Sequence, residues 1–469
     1  MRDEEVAPRG WPKSQLYRRN NKMGQWYGAW KERQRKSTPF RPEGRKEGSD
    51  YNLHSVDIEA SFSALDEEGR RSMEIQGRDP DTRRPLSEPD PAARFRGAVL
   101  AASAGDAFAQ GIQLGAVRKV SWEPAPRFVT STGARSRTGR DEFLFEYQFG
   151  ASVPSSALFQ LSAFTLEGVI RAHVARRMNP ADDDPVQEVR HAYQRWLHTR
   201  TGPGGGRVPW AQCGGPFATR SAQPDGWLVG HVWPDGGEAS PADTVGALVE
   251  FARTGQAAGT SGVRGGSVVP RAALAAVWSN DAAGAFAAAV EIAKITHGHP
   301  DDHLPAGFLA ALLHQQVRDA PFSACLESAG AELERWPDHE RTARLVGQAL
   351  ELSREVRSPA FPSEFEAKFP AGGVDGAEAL GMAIYCAVVS DYVREALLLA
   401  VNYAQDRSTV AAISGLIIGA ECGADTIPPD LRRAPSIYPV LEELANDALA
   451  EFSPASPTTP AWFQRYPGW

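Results

Sequence analysis

Between Ser155 and Ala172 the chain reads Ser-Ser-Ala-Leu-Phe-Gln-Leu and runs on through Phe164, Leu166, Val169 and Ile170. Apolar side chains fill nearly every helical turn, and Gln160, Glu167 and Arg171 form one thin polar stripe. A helix that is apolar almost all round belongs inside a large domain, so other elements must be able to surround it. Ala-rich segments with helical period recur along the chain, and alternating strand runs bounded by turn residues are scarce, which predicts an all-α fold. With 469 residues there is ample chain to bury such a helix.

The formal charge of -8 gives the main body no electrostatic footing for nucleic acid. Four cysteines, Cys213, Cys325, Cys386 and Cys422, lack the CxxC spacing of a metal site and lie mostly in apolar helical contexts. They read as reduced, buried thiols of a cytoplasmic protein. No apolar run reaches membrane-spanning length, and the N-terminus has no signal-peptide core, so no membrane association is expected.

Three regions follow from composition. Residues 1–90 interleave Arg18, Arg19 and other cations with Trp26, Tyr27, Trp30 and further aromatics, then end in a Pro-rich linker. Trp, Tyr and Arg are preferred at protein interfaces, so these residues are partner-binding candidates. Stacking of nucleic-acid bases is the lesser reading, because no nucleic-acid-binding fold signature accompanies the patch. Residues 91–452 form the helical body, with helices expected at 186–199, 282–296, 305–317, 376–401, 409–420 and 436–452. Residues 453–469 are a Pro-rich tail.

Within the body, Gly97, Ala101 and Gly105 put small residues at helical spacing, and Asp106 places a carboxylate at the end of an apolar helix. A hydrogen-bonding role for Asp106 is the plainer reading, with acid chemistry as the alternative. Arg264-Gly265-Gly266-Ser267 is a glycine turn whose amides could face a phosphate. His297, His299 and His303 are close enough in sequence to suggest zinc, but no Cys lies nearby and they read as structural. Asn402 to Thr409 is a polar loop opening a small-residue helix through Ile413, Gly415, Ile417 and Gly419.

These pieces, in this order, resemble the ADP-ribosylglycohydrolase family, whose likeness spans roughly residues 94–450. Gly97 to Ala107 is similar to the family's opening helix, and Gln160 to Ala172 to the helix after its Thr-Asp-Asp-Thr-Gln loop. Asp225-Gly226-Trp227-Leu228 and Pro241-Ala242-Asp243-Thr244 resemble its middle motifs. Thr296-His297-Gly298-His299-Pro300, Leu304-Pro305-Ala306-Gly307 and Ala400-Val401-Asn402 with Ala412-Ile413-Ser414-Gly415 match closely. The resemblance implies an orthogonal multi-helix domain with two Mg²⁺ ions in a central cleft, cleaving ADP-ribose from protein side chains. The turn Arg264 to Ser267 departs from the family's Gly-Cys-Gly-Gly pattern.

The metal loops depart further. Where the family has Thr-Asp-Asp, this chain has Ser156, Ala157 and Leu158, followed by Phe159. Where the family has Asp-x-Asp-Ser/Thr, it has Asp406-Arg407-Ser408-Thr409. Three of four carboxylates are gone, and Asp406 is the vestige. Mg²⁺ needs hard oxygen ligands, and two dications need neutralising carboxylates. The expectation is therefore a binding protein with neither metal nor cofactor. Its partners would be ADP-ribose, an ADP-ribosylated protein, or a protein such as an ADP-ribosylating toxin engaged through residues 1–90. Asp106, Ser156, Gln160, Asp406, Arg407, Ser408 and Thr409 are the ligand-binding candidates. The alternative is an active ADP-ribosyl-protein hydrolase working by a one-metal or metal-free route.

Overall fold

The computed structural model describes residues 88–117, 152–202, 205–233, 242–256, 264–354, 360, 362–390 and 392–468. Arg18, Arg19, Trp26, Tyr27 and Trp30 lie outside the described residues. Among those described there is no strand, only two isolated bridges, so the architecture is all-α.

The first helix is α1 (Pro91–Gln113), one half of the central pair, and α2 (Ala157–Met178) is the apolar helix. Asp90 starts α1, its Oδ1 accepting from Ala93 N at 2.6 Å, and Pro91 fits the first turn where no donor is needed. Next come α3 (Val186–Thr199), α4 (Ala242–Thr254), α5 (Val268–Ala272), α6 (Ala282–Ala293), α7 (Pro300–Gln316) and α8 (Phe322–Leu333). The chain continues through α9 (Glu340–Leu352), α10 (Gly376–Val388), α11 (Val393–Tyr403), α12 (Arg407–Cys422), α13 (Tyr438–Glu451) and α14 (Pro460–Arg465), with short helical turns between some of these.

The core is built on α1 against α12, the other half of that pair, running antiparallel at backbone contact. A Cβ on Gly97 would lie 2.2 Å from Gly419 O, one on Gly415 2.5 Å from Ala101 O, and one on Gly105 2.4 Å from Ala411 O. The small residues of both helices are there because nothing larger fits, and close Cα–H···O approaches become available. Packed on this pair are α10 and α11 against α12, and α13 across both α1 and α2. As the sequence predicts, α2 is buried all round, from Leu158 to Ala172. Its polar stripe is buried too, with α3 covering it.

Three boundaries differ from the sequence reading. Pro300 opens α7 with His299 as its cap and Asp301 and Asp302 in the first turn, so the helix begins a turn before Pro305, which lies inside it. Residues 376–401 form two helices, broken near Ser390, a residue that favours turns over helix interiors. Beyond α13 the Pro-rich segment carries α14, capped by Thr459. Tyr466 is fully buried with its hydroxyl donating to Asp447, Trp462 Nε1 donates to Glu451 at 2.7 Å, and Arg465 stacks on Trp227 at 3.9 Å.

Candidate functional site

The starts of α2 and α12 meet the flank of α1 beside the polar loops; α1 runs on to Gln113, so Asp106 lies within the helix and not at the end that the sequence suggested. Late in α1, Asp106 is 1% exposed and its Oδ2 accepts from Ser156 N at 3.0 Å, tying α1 to the cap of α2. Ser156 in turn accepts from Phe159 N, and Asp406 caps α12 by accepting from Thr409 N at 3.1 Å. One turn beyond Asp106, Gln110 Nε2 donates to Ser408 Oγ at 3.3 Å. Of the candidates from the sequence, Asp106, Ser156, Asp406, Ser408 and Thr409 therefore share one corner. The buried atoms Asp106 Oδ1 and Thr409 Oγ1 have no hydrogen bond of ordinary geometry among the described residues.

Burial pushes the Asp106 carboxyl up to about 6; the Ser156 hydroxyl and amide and the Ser408 hydroxyl oppose the rise, and neighbouring Asp406 adds to it. The corner is thus poor in negative charge: two carboxylates, one of them held partway toward its neutral form.

Gln160 and Arg407 sit differently. Gln160 is fully buried, its Oε1 accepting from Trp196 Nε1 at 3.1 Å and Arg200 Nη1 at 2.6 Å while Nε2 donates to Ser155 O. Its amide joins α2 to α3 and is spent on protein partners. Arg407 is exposed and turns its Nε to Val401 O at 3.0 Å. Leu158 and Phe159 lie in the hydrophobic core, 4% and 3% exposed.

The glycine turn borders the same corner. A Cβ on Gly266 would meet Thr409 Cγ2 at 3.1 Å, and one on Gly265 would meet His297 Nε2 at 3.6 Å. Its amides are not free for a phosphate: Gly265 N donates to Asp302 Oδ2 at 3.2 Å and Gly266 N to Val374 O at 2.8 Å. Burial raises the Asp302 pKa, and it remains anchored by the amides of Gly265 and Gly376. Around it, Arg264 reaches Asp301 at 3.0 Å, and Arg341 pairs with Asp375, the α10 cap, through two bonds of 2.7 and 2.8 Å.

The three histidines part company. His299 Nδ1 accepts from Asp301 N at 3.1 Å as a helix cap, His303 is buried, and His297 Nδ1 lies 2.9 Å from Thr296 Oγ1. Among the described residues no group of His, Cys, Asp and Glu side chains is arranged to hold a metal ion. Arg271, absent from the sequence candidates, is fully buried; its Nη2 donates to Thr296 Oγ1, and the Tyr193 hydroxyl is its other polar neighbour among the described residues. The available signal was a lone Arg in the otherwise apolar run Val268 to Val277.

A second polar cluster occupies the far end of the α2 stripe. Glu167, Arg171 and Arg195 are fully buried, and both arginines also reach Asp225, at 2.8 and 3.0 Å. Gly226 adopts φ +90°, where a Cβ would press to 3.0 Å on Glu167 Oε1, so the loop closes over the carboxylate only with glycine there. Burial raises Glu167 to about 7, against the pull of Arg171. The four cysteines are free and buried.

No helix among the described residues is long and apolar enough to cross a membrane. The family model described as ADP-ribosylglycohydrolase matches residues 87–458. No curated protein matches the chain. Among solved structures it is similar to a chain of an "ADP-ribosylglycohydrolase-related protein complex", at 20% identity and a TM-score of 0.46, over 78% of this chain and 99% of that one.

Proposed function

This chain belongs to the ADP-ribosylglycohydrolase family, and from that footing we propose that it acts by binding, having given up metal-dependent hydrolysis. The ligand class is ADP-ribose, free or on a modified protein.

The observation that carries this reading is the charge of the corner. A pair of dications about 4 Å apart repel by roughly 16 kcal/mol at an effective dielectric of 20, which only clustered carboxylates offset. Here the acidic donors are Asp106 and Asp406, and Asp406 also caps a helix. Ser156, Ser408 and Thr409 add neutral oxygens, whereas Leu158 belongs to the apolar core. These residues do not fit two Mg²⁺ ions, and no chemical step is derived through them. What remains is a set of buried and half-buried oxygens and a neighbouring imidazole suited to hydrogen-bonding the hydroxyls and phosphates of a nucleotide sugar.

The test is calorimetric titration of the full chain with ADP-ribose, with and without Mg²⁺, beside turnover assays on ADP-ribosyl-arginine and ADP-ribosyl-serine. Metal-independent binding without turnover is expected. Turnover that chelation abolishes would refute the reading. One observation favours a second reading, metal-free hydrolysis: Asp106 lies in the polar corner with its carboxyl pKa raised by burial to about 6, as a general acid requires. Turnover that persists under chelation and is lost in Asp106→Asn would establish it. A protein partner for residues 1–90 is part of the proposal, tested by pull-down with and without that segment.

A further inference from the structure

We propose that Arg271, acting through Thr296, holds His297 as the neutral tautomer protonated on Nε2, so that the site presents a fixed N–H donor beside the glycine turn. This deepens the binding reading above and rests on it for the identity of the ligand. Arg271 is then a positioning residue and His297 the contact.

The direction of each hydrogen bond follows from valence. A guanidinium only donates, so Thr296 Oγ1 accepts from Arg271 Nη2. The Thr296 hydroxyl proton then needs an acceptor; Thr296 is fully buried, and among the described residues its one other partner is His297 Nδ1 at 2.9 Å. Nδ1 must therefore carry a lone pair, which places the proton of a neutral imidazole on Nε2. Neutrality is supported independently: burial first, and then the Arg271 charge, push His297 down to about 3.

No hydrogen bond to Nε2 is formed among the described residues, and Gly265 is its backbone neighbour, where an added Cβ would meet Nε2 at 3.6 Å. Thr409 lies on the other side of the same turn, against Gly266. The donor is therefore set beside the corner of Asp106, Ser156 and Asp406, and it selects for an oxygen acceptor on the ligand: a phosphate or a ribose hydroxyl.

Arg271 also explains itself in this scheme. It is a buried cation with no carboxylate partner among the described residues, a costly arrangement for a residue that merely fills space. Tyr193 lies beside it, ring centroid 5.5 Å away, and supports its charge through the phenol hydroxyl.

The experiment is a long-range ¹H–¹⁵N spectrum of the full chain labelled on histidine, with the His297 signals assigned by their loss in His297→Gln. Without ligand, the wild type should show the Nε2–H pattern unchanged from mildly acid to mildly alkaline pH. Thr296→Val, nearly isosteric, should give mixed or inverted tautomers, and Thr296→Ser should restore the wild-type pattern. A wild-type Nδ1–H pattern, or a Thr296→Val spectrum identical to wild type, overturns the relay. ADP-ribose should shift the Nε2 resonance, with inorganic phosphate as the comparison that separates phosphate from sugar contact. Because the tautomer is read before any ligand is added, it can hold while ADP-ribose binding fails, or the reverse; an unmoved Nε2 in a chain shown to bind ADP-ribose overturns the contact itself.

Discussion

Asp106→Asn should make the protein more stable at neutral pH, despite removing a buried charge bonded to a backbone amide. Burial raises the carboxyl from 3.8 to about 6. A group whose folded pKa lies above its unfolded value favours the native state fully below the unfolded pKa, and that contribution is lost as pH rises through the folded one. The difference of about two pH units corresponds to about 3 kcal/mol, most of it lost between pH 4 and 7. Asparagine keeps an oxygen to accept from Ser156 N and has no proton to lose, so its stability carries no such slope. Urea unfolding of both proteins at several pH values, with equal m-values, reads the effect. The wild type should lose about 2–3 kcal/mol relative to the variant across that window. Equal slopes, or a variant destabilised equally at every pH, would refute the reasoning. A tightly held cation would reverse the sign, because it favours the ionised carboxylate, so repeating the series in Mg²⁺ also probes the charge-poor reading of the corner.

Other outcomes follow from the same structure. Gly415→Ala drives a methyl to 2.5 Å from Ala101 O, and should cost at least about 2–3 kcal/mol in denaturant unfolding, with refutation by a change under about 0.5. Millimolar Mg²⁺ or its chelation should shift the melting temperature by less than about 1 °C, since a ligand stabilises only in proportion to its occupancy of the native state. Tyr466→Ala empties a fully buried site and should cost about 3–5 kcal/mol by the same measurement, whereas a freely moving tail would register almost nothing.

Much of this was legible in local pattern. The apolar α2, the amphipathic α3 with Tyr193 and Trp196, and the two polar loops at Ser156 and Asp406 all follow from periodicity and capping chemistry. What periodicity could not supply was pairing across the chain. Gly97, Ala101 and Gly105 announced a close neighbour, yet only the fold shows it to be Gly419, Gly415 and Ala411. Gln160 looked like a residue lining a site, because nothing in sequence reveals that Trp196 and Arg200 converge on its carbonyl oxygen. The glycine turn invited a phosphate until Asp302 and Val374 proved to occupy its amides. Arg271 went unnoticed because its partners, Thr296 and Tyr193, arrive from two other helical segments.

The register between α1 and α12 also sets a timetable for synthesis. Arg94 Nη1 donates to Ala420 O, a partner 326 residues later in the chain. At about 5–20 residues per second, the first helix must wait roughly 15 to 65 seconds after leaving the ribosome before its match exists. Throughout that interval its glycine-lined face has no native surface to close on. Docking of this helix pair should therefore begin only once residues near Gly419 have been made.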